Sequence, residues 1–269
     1  MSKSPTRKFT LLITSGCRPE LFRETIESFV QCCCDLSLID RWICIDDGTD
    51  EKSRDLHRGL YPWIEFIYKD PANVGHAKSL NQVSSLLQTE YIVRLEDDWK
   101  FISTGHFIRD AIEILDEMPD VGQVMLNKNY QQRQTDNLTG GIEAKTSSGK
   151  PFYYHLYLDK PEEQAEWYKN NSPSVLVSWP HFSLQPSVTR LVCLEKPFNE
   201  NSSYFEYEYA KEYTADGWKT AFLPGFVCEH TGRLLNDYSG PLNAYEMLGQ
   251  KHFGRSPRHY DKTDTRRPY

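Results

Sequence analysis

An α/β fold, with a mostly parallel central sheet flanked by helices, is what this sequence predicts, and three observations carry it. Short apolar runs alternate with amphipathic segments through the first half of the chain. Three of those runs end in polar or acidic residues, at Ser15, Asp46 and Glu96. At 269 residues, 39% of them hydrophobic, the chain can bury one sizeable core.

Residues 8–14 read as the first strand. Arg18-Pro19-Glu20 then opens a helix, with Pro19 at the first helical position and Phe22, Ile26, Phe29, Val30 and Cys33 at helical spacing. Strands follow at 41–45 and 64–68, then a helix over 75–88 with Leu80, Val83 and Leu87 on one face. A strand at 91–95 precedes a helix marked by Phe107, Ile108, Ala111, Ile112 and Leu115, and a strand at 121–126 closes this half. Such alternation predicts parallel strands covered on both faces, which bind ligands beyond their carboxyl ends. Ser15 to Arg18, Asp46 to Gly48 and Glu96 to Asp98 all fall at such ends, so they are expected to meet at one site.

The second half is less regular. A polar loop is expected over 131–150, and strands at 152–158 and 174–179 enclose a polar stretch. A helix near 203–216 ends at Gly217, and an apolar strand reaches Cys228-Glu229-His230. The end of the chain, from Lys251, is basic, with Arg255, Arg258, Arg266 and Arg267. No internal repeat is visible, so residues 1–269 read as one domain with two functional halves, 8–100 and 101–250, and a tail, 251–269.

A net charge of −7 and a pI near 5.7 argue against nucleic acid as the main partner. No apolar run approaches the ~18 residues of a membrane span, and the start, MSKSPTRKFTLLIT, reads as a strand and not as a signal peptide. The seven cysteines include no CxxC pair, and Cys32, Cys33 and Cys34 are consecutive, which suits reduced thiols in the cytoplasm. The glycosylation-type triplets at Asn137 and Asn201 are then chance matches.

Glu96-Asp97-Asp98 is the first candidate for chemistry. Adjacent carboxylates repel one another unless a cation or solvent compensates, and Mg²⁺ or Mn²⁺ takes a few carboxylates together with substrate phosphates. A solvated acidic turn is the plain alternative. Asp46-Asp47-Gly48-Thr49-Asp50 is a second acidic turn, suited to accept hydrogen bonds from a base or ribose, or simply to cap a helix.

Taken together, four segments resemble the nucleotide-binding half of family 2 type glycosyltransferases, which have the Rossmann-like GT-A fold. They are Thr10-Leu-Leu-Ile-Thr-Ser-Gly-Cys-Arg-Pro-Glu, Cys44-Ile-Asp-Asp-Gly-Thr-Asp, Asn73-Val-Gly-His-Ala-Lys-Ser-Leu-Asn81 and Leu95-Glu-Asp-Asp-Trp99. The resemblance implies a UDP- or GDP-sugar donor, a saccharide or glycan acceptor and Mn²⁺ or Mg²⁺. It places Ser15 and Arg18 at base and ribose, Asp46 or Asp47 on the base, and Lys78 near the diphosphate. Glu96, Asp97 and Asp98 stand at the family's DxD-type motif, with Asp98 the metal ligand. The family usually has Asp where Glu96 stands, so Glu96 touches metal or ribose.

Behind residue 200 the resemblance is looser. Tyr204-Phe-Glu-Tyr-Glu-Tyr-Ala-Lys-Glu-Tyr-Thr-Ala-Asp-Gly217 looks like the helix whose carboxylate is the catalytic base. Counting back from Gly217 favours Glu206 over Glu208. Leu223-Pro-Gly-Phe-Val-Cys-Glu-His230 looks like the strand whose His completes the metal shell, although a lone His is more often structural. These roles imply a single inverting displacement. Trp167, Trp179, His181 and Phe182 are candidates to stack on an acceptor sugar, with core packing as the commoner use. The tail's arginines, with His252 and His259, are expected either to fold over the diphosphate or to form a loose basic end.

Two other classes compete. A sugar-phosphate nucleotidyltransferase would need a Gly-rich loop after the first strand, where Gly16 stands alone. A non-catalytic sugar-binding module would have no use for the acids at 96–98 and 206–208. A dehydrogenase would show GxGxxG after the first strand, and it does not occur there.

Overall fold

The computed structural model describes residues 9–70, 73–136, 138–171, 175–202 and 204–232. Its centre is a nine-stranded sheet with strand order β3-β2-β1-β4-β9-β6-β10-β8-β7. The strands are β1 (Phe9–Ser15), β2 (Ile39–Asp46), β3 (Ile64–Tyr68), β4 (Tyr91–Glu96), β6 (Val121–Met125), β7 (Ile142–Lys145), β8 (Pro151–Tyr154), β9 (Ser187–Arg190) and β10 (Lys219–Phe222). β1 to β4 are mutually parallel, as are β6 and β10, while β9 runs antiparallel between β4 and β6.

Helices α1 (Pro19–Cys32), α2 (Glu51–Leu60), α3 (His76–Ser84), α4 (Phe107–Glu117), α5 (Pro161–Asn170) and α6 (Phe205–Ala215) join these strands. α1 buries Phe22, Ile26 and Phe29, and α4 buries Phe107, Ile108, Ala111, Ile114 and Leu115, against the odd-numbered face of β4, Tyr91, Val93 and Leu95. Each Phe, Ile, Leu or Val side chain among these contributes about 1.5–3 kcal/mol on burial. The opposite face carries Ile92 under α3, with Leu12, Ile43 and Val83. α6 packs Phe205, Tyr209, Ala210 and Tyr213 on Phe182 and Phe198.

Several elements depart from the sequence expectation. The expected strand at 174–179 is absent over its described residues, 175–179, and the strand at 152–158 is confined to Pro151–Tyr154. The polar loop over 131–150 contains β7, and the run up to His230 is two strands, β10 and β11 (Cys228–His230). α2, α5, β9 and the short β5 (Trp99–Phe101) were not anticipated. β5 and β11 pair antiparallel, Trp99 opposite His230, and this small ribbon brings the two ends of the chain's chemistry together.

Between β8 and the start of β9 two histidines are enclosed, His155 at 5% exposure and His181 at 9%, their rings 4.9 Å apart. Burial lowers His155 from 6.5 to about 4 and His181 to about 3. Both are therefore neutral in the fold, and the unfolded chain binds their protons first. Stability should be full above pH about 6.5 and fall as pH drops toward about 4. Denaturant titrations at pH about 7 and about 5 should show this loss, and His155→Gln should flatten it.

Candidate active site

The parallel registers align the strand ends. Ser15 lies opposite Asp46, and Thr14 opposite Glu96, so the three polar termini form one row. Non-glycine residues with left-handed φ gather at this edge: Cys17 (57°), Asn129 (46°), Tyr130 (59°) and Phe182 (142°). Each costs about 1–3 kcal/mol and such strain concentrates at functional sites.

A first cavity, about 410 Å³ with the open solvent at its mouth, is lined by Ser15, Gly16, Arg18, Asp47, His76, Ser79, Glu96 and Asp97, among others. Asp97 faces inward: its Oδ2 accepts from Ser15 Oγ (3.1 Å) and Gly16 N (3.0 Å). Arg18 bridges the acids, pairing with Asp97 and donating from Nη1 to Asp98 Oδ2 at 2.8 Å. Burial, then the Asp98 charge, push Asp97 upward, while Arg18 and two donors oppose them. Burial would raise Asp98 too, but Arg18 and His230 outweigh it and hold that carboxyl well below the usual range.

Of the second acidic turn, Asp47 lines the cavity and Asp46 does not. Asp46 accepts from Thr49 N (2.9 Å) and Thr49 Oγ1 (2.6 Å), tying its own turn. Asp47 Oδ2 accepts from Gly75 N (2.7 Å), and Oδ1 pairs with Lys69 Nζ at 2.9 Å. Gly75, at φ 149°, takes a conformation side chains avoid, which lets its N–H reach Asp47 as it opens α3. Lys69 is 4% exposed and also donates to Ser79 Oγ at 2.9 Å. Asp47→Ala would strand that ammonium, so it should cost about 3–5 kcal/mol in chemical denaturation. The double change Asp47→Leu with Lys69→Met should recover most of the loss.

A second cavity, about 600 Å³ with the open solvent at its mouth, adjoins the first through Glu96, which lines both. Trp99, Tyr130, Leu176 and Trp179 give it apolar walls, and Gln132, Gln185, Glu206 and His230 give it polar ones. Glu206 Oε1 accepts from Ser183 Oγ (3.0 Å) and Leu184 N (2.8 Å), and burial raises its pKa above the ordinary Glu value. Burial, then the Asp98 charge, likewise raise Glu96.

Glu208 lies elsewhere. It accepts from Asn199 Nδ2 (2.9 Å) and Ser202 Oγ (2.6 Å) and lines neither cavity. Lys78 is also outside both, its Nζ donating to Asn73 Oδ1 at 3.2 Å. Trp179 walls the second cavity, His181 and Phe182 pack behind it, and Trp167 lines neither cavity. The basic tail, with His252 and His259, lies outside the described residues.

His230 reaches Asp98 from the β5–β11 ribbon, with Nε2 at 3.3 Å from Asp98 Oδ2. Asn127, at the end of β6, holds this ribbon: its Oδ1 accepts from Val227 N (2.8 Å) and its Nδ2 donates to Cys228 O (2.6 Å). Thr231 N donates to Asp98 O at 2.8 Å, and a Cβ on Gly232 would strike the Asp98 carboxylate. Two adjacent ligands on one hard cation, each about 2.1 Å from it, stand about 3 Å apart. The Asp98–His230 separation meets that condition. No group of three or more His, Cys, Asp or Glu that would hold a metal unaided occurs among the described residues. The donor set suits a cation that brings phosphate oxygens with it.

By sequence, no family model and no curated protein matches this chain. Solved structures do match. The mannosyltransferase PcManGT from Pyrobaculum calidifontis, in complex with GDP-Man and Mn²⁺, superposes at a TM-score of 0.55 and 14% identity, over 83% of this chain and 57% of that one. This chain shares the fold of that mannosyltransferase. S. aureus TarS 1–349 with UDP-GlcNAc gives 0.55 at 13% identity, over 89% of this chain and 64% of TarS. TarS 1–349 alone gives 0.58 at 10% identity, over 96% and 76%. This chain thus spans less than two thirds of PcManGT and of TarS in its UDP-GlcNAc complex. No helix among the described residues is long and apolar enough to cross a membrane.

Proposed function

We propose that this chain is an inverting, metal-dependent glycosyltransferase that moves a sugar from a nucleoside-diphosphate sugar to a hydroxyl of a saccharide or glycan. The observation that carries this reading is the pair of cavities meeting at Glu96, one walled by strand-end polar groups, the other by aromatic rings and a desolvated carboxylate. The matched structures that hold GDP-Man and UDP-GlcNAc support it.

The first cavity would receive the donor, with Ser15, Asp47 and Asp97 toward the nucleoside. Asp98 and His230 would hold Mn²⁺ or Mg²⁺, which when bound neutralises charge on the diphosphate. Arg18 already stands against Asp98, where its guanidinium can turn to a phosphate oxygen. The acceptor would lie between Trp99, Tyr130 and Trp179, whose flat faces suit a sugar ring, with its hydroxyl toward Glu206. Glu206 takes the proton as the hydroxyl oxygen bonds to the anomeric carbon and the bond to the diphosphate breaks on the opposite face. All seven cysteines are free thiols, in keeping with a reducing compartment, and we place the protein in the cytoplasm.

Incubation with Mn²⁺ and UDP- or GDP-sugars tests the reaction. Release of nucleoside diphosphate, with the transferred or hydrolysed sugar first appearing as the inverted anomer by proton NMR, is expected. A retained anomer would contradict the mechanism, and exchange of pyrophosphate in its place would indicate a nucleotidyltransferase.

A further inference from the structure

The wall of the second cavity holds a side chain that the reaction above leaves without a task. Gln185 is 9% exposed and lines that cavity together with Glu206. Its backbone is held on both sides. Gln185 N donates to Ser183 Oγ (3.3 Å), the same hydroxyl that donates to Glu206 Oε1 (3.0 Å). Pro186 follows, which disfavours helical backbone at Gln185, and Pro186 O accepts from Leu126 N at 3.0 Å.

The head of the side chain is held far less. Its Nε2 reaches Tyr130 O at 3.4 Å, longer than an ordinary N–H···O bond. Its Oε1 is buried and has no hydrogen-bond partner among the described residues. A buried carbonyl oxygen without a donor is costly, and beside a cavity a ligand hydroxyl is a natural donor for it. Rotation about the last side-chain bond is soft, so a small turn would bring Oε1 round to such a hydroxyl.

The charge of the cavity narrows what that ligand is. Its acids are Glu96 and Glu206, and Glu206 must be ionised to take a proton. No lysine or arginine lines it among the described residues. A carboxylate or phosphate at this place would face like charge in a desolvated wall. The remaining polar groups include the neutral Gln132, Ser183 and Gln185, beside the flat face of Trp179.

We propose that the second cavity takes an uncharged sugar residue of the acceptor, and that Gln185 determines this specificity by accepting a hydrogen bond from a hydroxyl next to the attacking one. This rests on reading the second cavity as the acceptor site. Both hydrogen bonds to Glu206 end on Oε1, so the attacking hydroxyl meets Oε2. Ser183 ties Gln185 to Glu206, and one sugar ring spans the two.

Saturation-transfer NMR on the full chain, with Mg²⁺ and UDP or GDP present, tests this. The probes are the methyl glycosides of glucose, galactose, mannose and N-acetylglucosamine, and the uronide of each. At least one neutral glycoside should bind, and its uronide should bind at least about ten-fold more weakly. Gln185→Met, which keeps the length and removes the polar head, should weaken the neutral glycoside by about 3- to 10-fold. One deoxy form of that glycoside should lose the same factor on the wild type and lose nothing on Gln185→Met, because hydroxyl and carboxamide act as one pair. Gln185→Ala serves if Gln185→Met does not fold, with the same pattern expected. A uronide as tight as its neutral partner, no neutral glycoside bound, or unchanged affinity in the Gln185 variant would overturn the proposal. The transferase reading fails separately, when no nucleotide sugar releases nucleoside diphosphate although these glycosides bind.

Discussion

Glu206→Gln should lower turnover by roughly 10²–10⁴-fold, the usual worth of a positioned general base. The change keeps the side chain's size and its contact with Ser183 and Leu184, so the fold should stand. Donor affinity should barely move, because Glu206 lines the second cavity and not the first. Glu208→Gln should be mild, since Glu208 is engaged with Asn199 and Ser202 at the surface. The pH profile carries the same signature. Only the ionised form can take a proton, and burial raises the Glu206 pKa, so turnover should fall with decreasing pH at values above the ordinary Glu range. Steady-state rates of both variants, measured at saturating donor, decide between the two residues.

Asp98→Asn should weaken Mn²⁺-dependent binding of a nucleoside diphosphate by about 100-fold, or about 3 kcal/mol. A charged ligand is lost at the point where Asp98 Oδ2 and His230 Nε2 converge. Arg18 keeps its pair with Asp97, so the melting temperature should change little. His230→Ala should weaken the same binding less, because a neutral imidazole holds a hard cation less strongly than a carboxylate does. Calorimetry with and without chelator reads both. An affinity indifferent to chelator and to Asp98→Asn would remove the metal from the account.

Much of the sheet was legible because β1, β2, β4 and β6 bury apolar runs, and their alternation with helices has a clear period. β9 was not legible. Its Ser187 and Thr189 are fully buried yet polar, and they bond to Gln123, so no apolar run marks a central strand. α2 and α5 hide for the opposite reason: α2 buries only His57 and α5 buries nothing, so neither carries an apolar stripe. Around Leu176 and Trp179 an apolar segment walls a cavity where a strand was expected, with Trp179 Nε1 donating to Phe182 O at 2.7 Å.

The site divides along the same line. Strand-end acids announce themselves by position, and the register of β1, β2 and β4 explains why they meet. The count from Gly217 singled out Glu206, which stands in the second cavity. Gln123 is buried inside β6, and Lys69 and Asn127 are buried just past β3 and β6; Gln123 and Asn127 bond to residues 60 and 101 positions away. Sequence spacing holds no signal for such pairs. Lys78 shows the reverse: motif position suggested the diphosphate, while its ammonium rests on Asn73 at the surface.

The most direct test of the central claim is a thermal-shift screen of UDP-, GDP-, CDP- and dTDP-sugars, each with Mn²⁺ and with chelator. A ligand present at about 100 times its Kd stabilises by about 2.7 kcal/mol, a shift of several degrees. The account predicts such a shift for one nucleotide class, dependent on Mn²⁺ and lost in Asp98→Asn. No shift with any nucleotide sugar, or the same shift with chelator present, would contradict it.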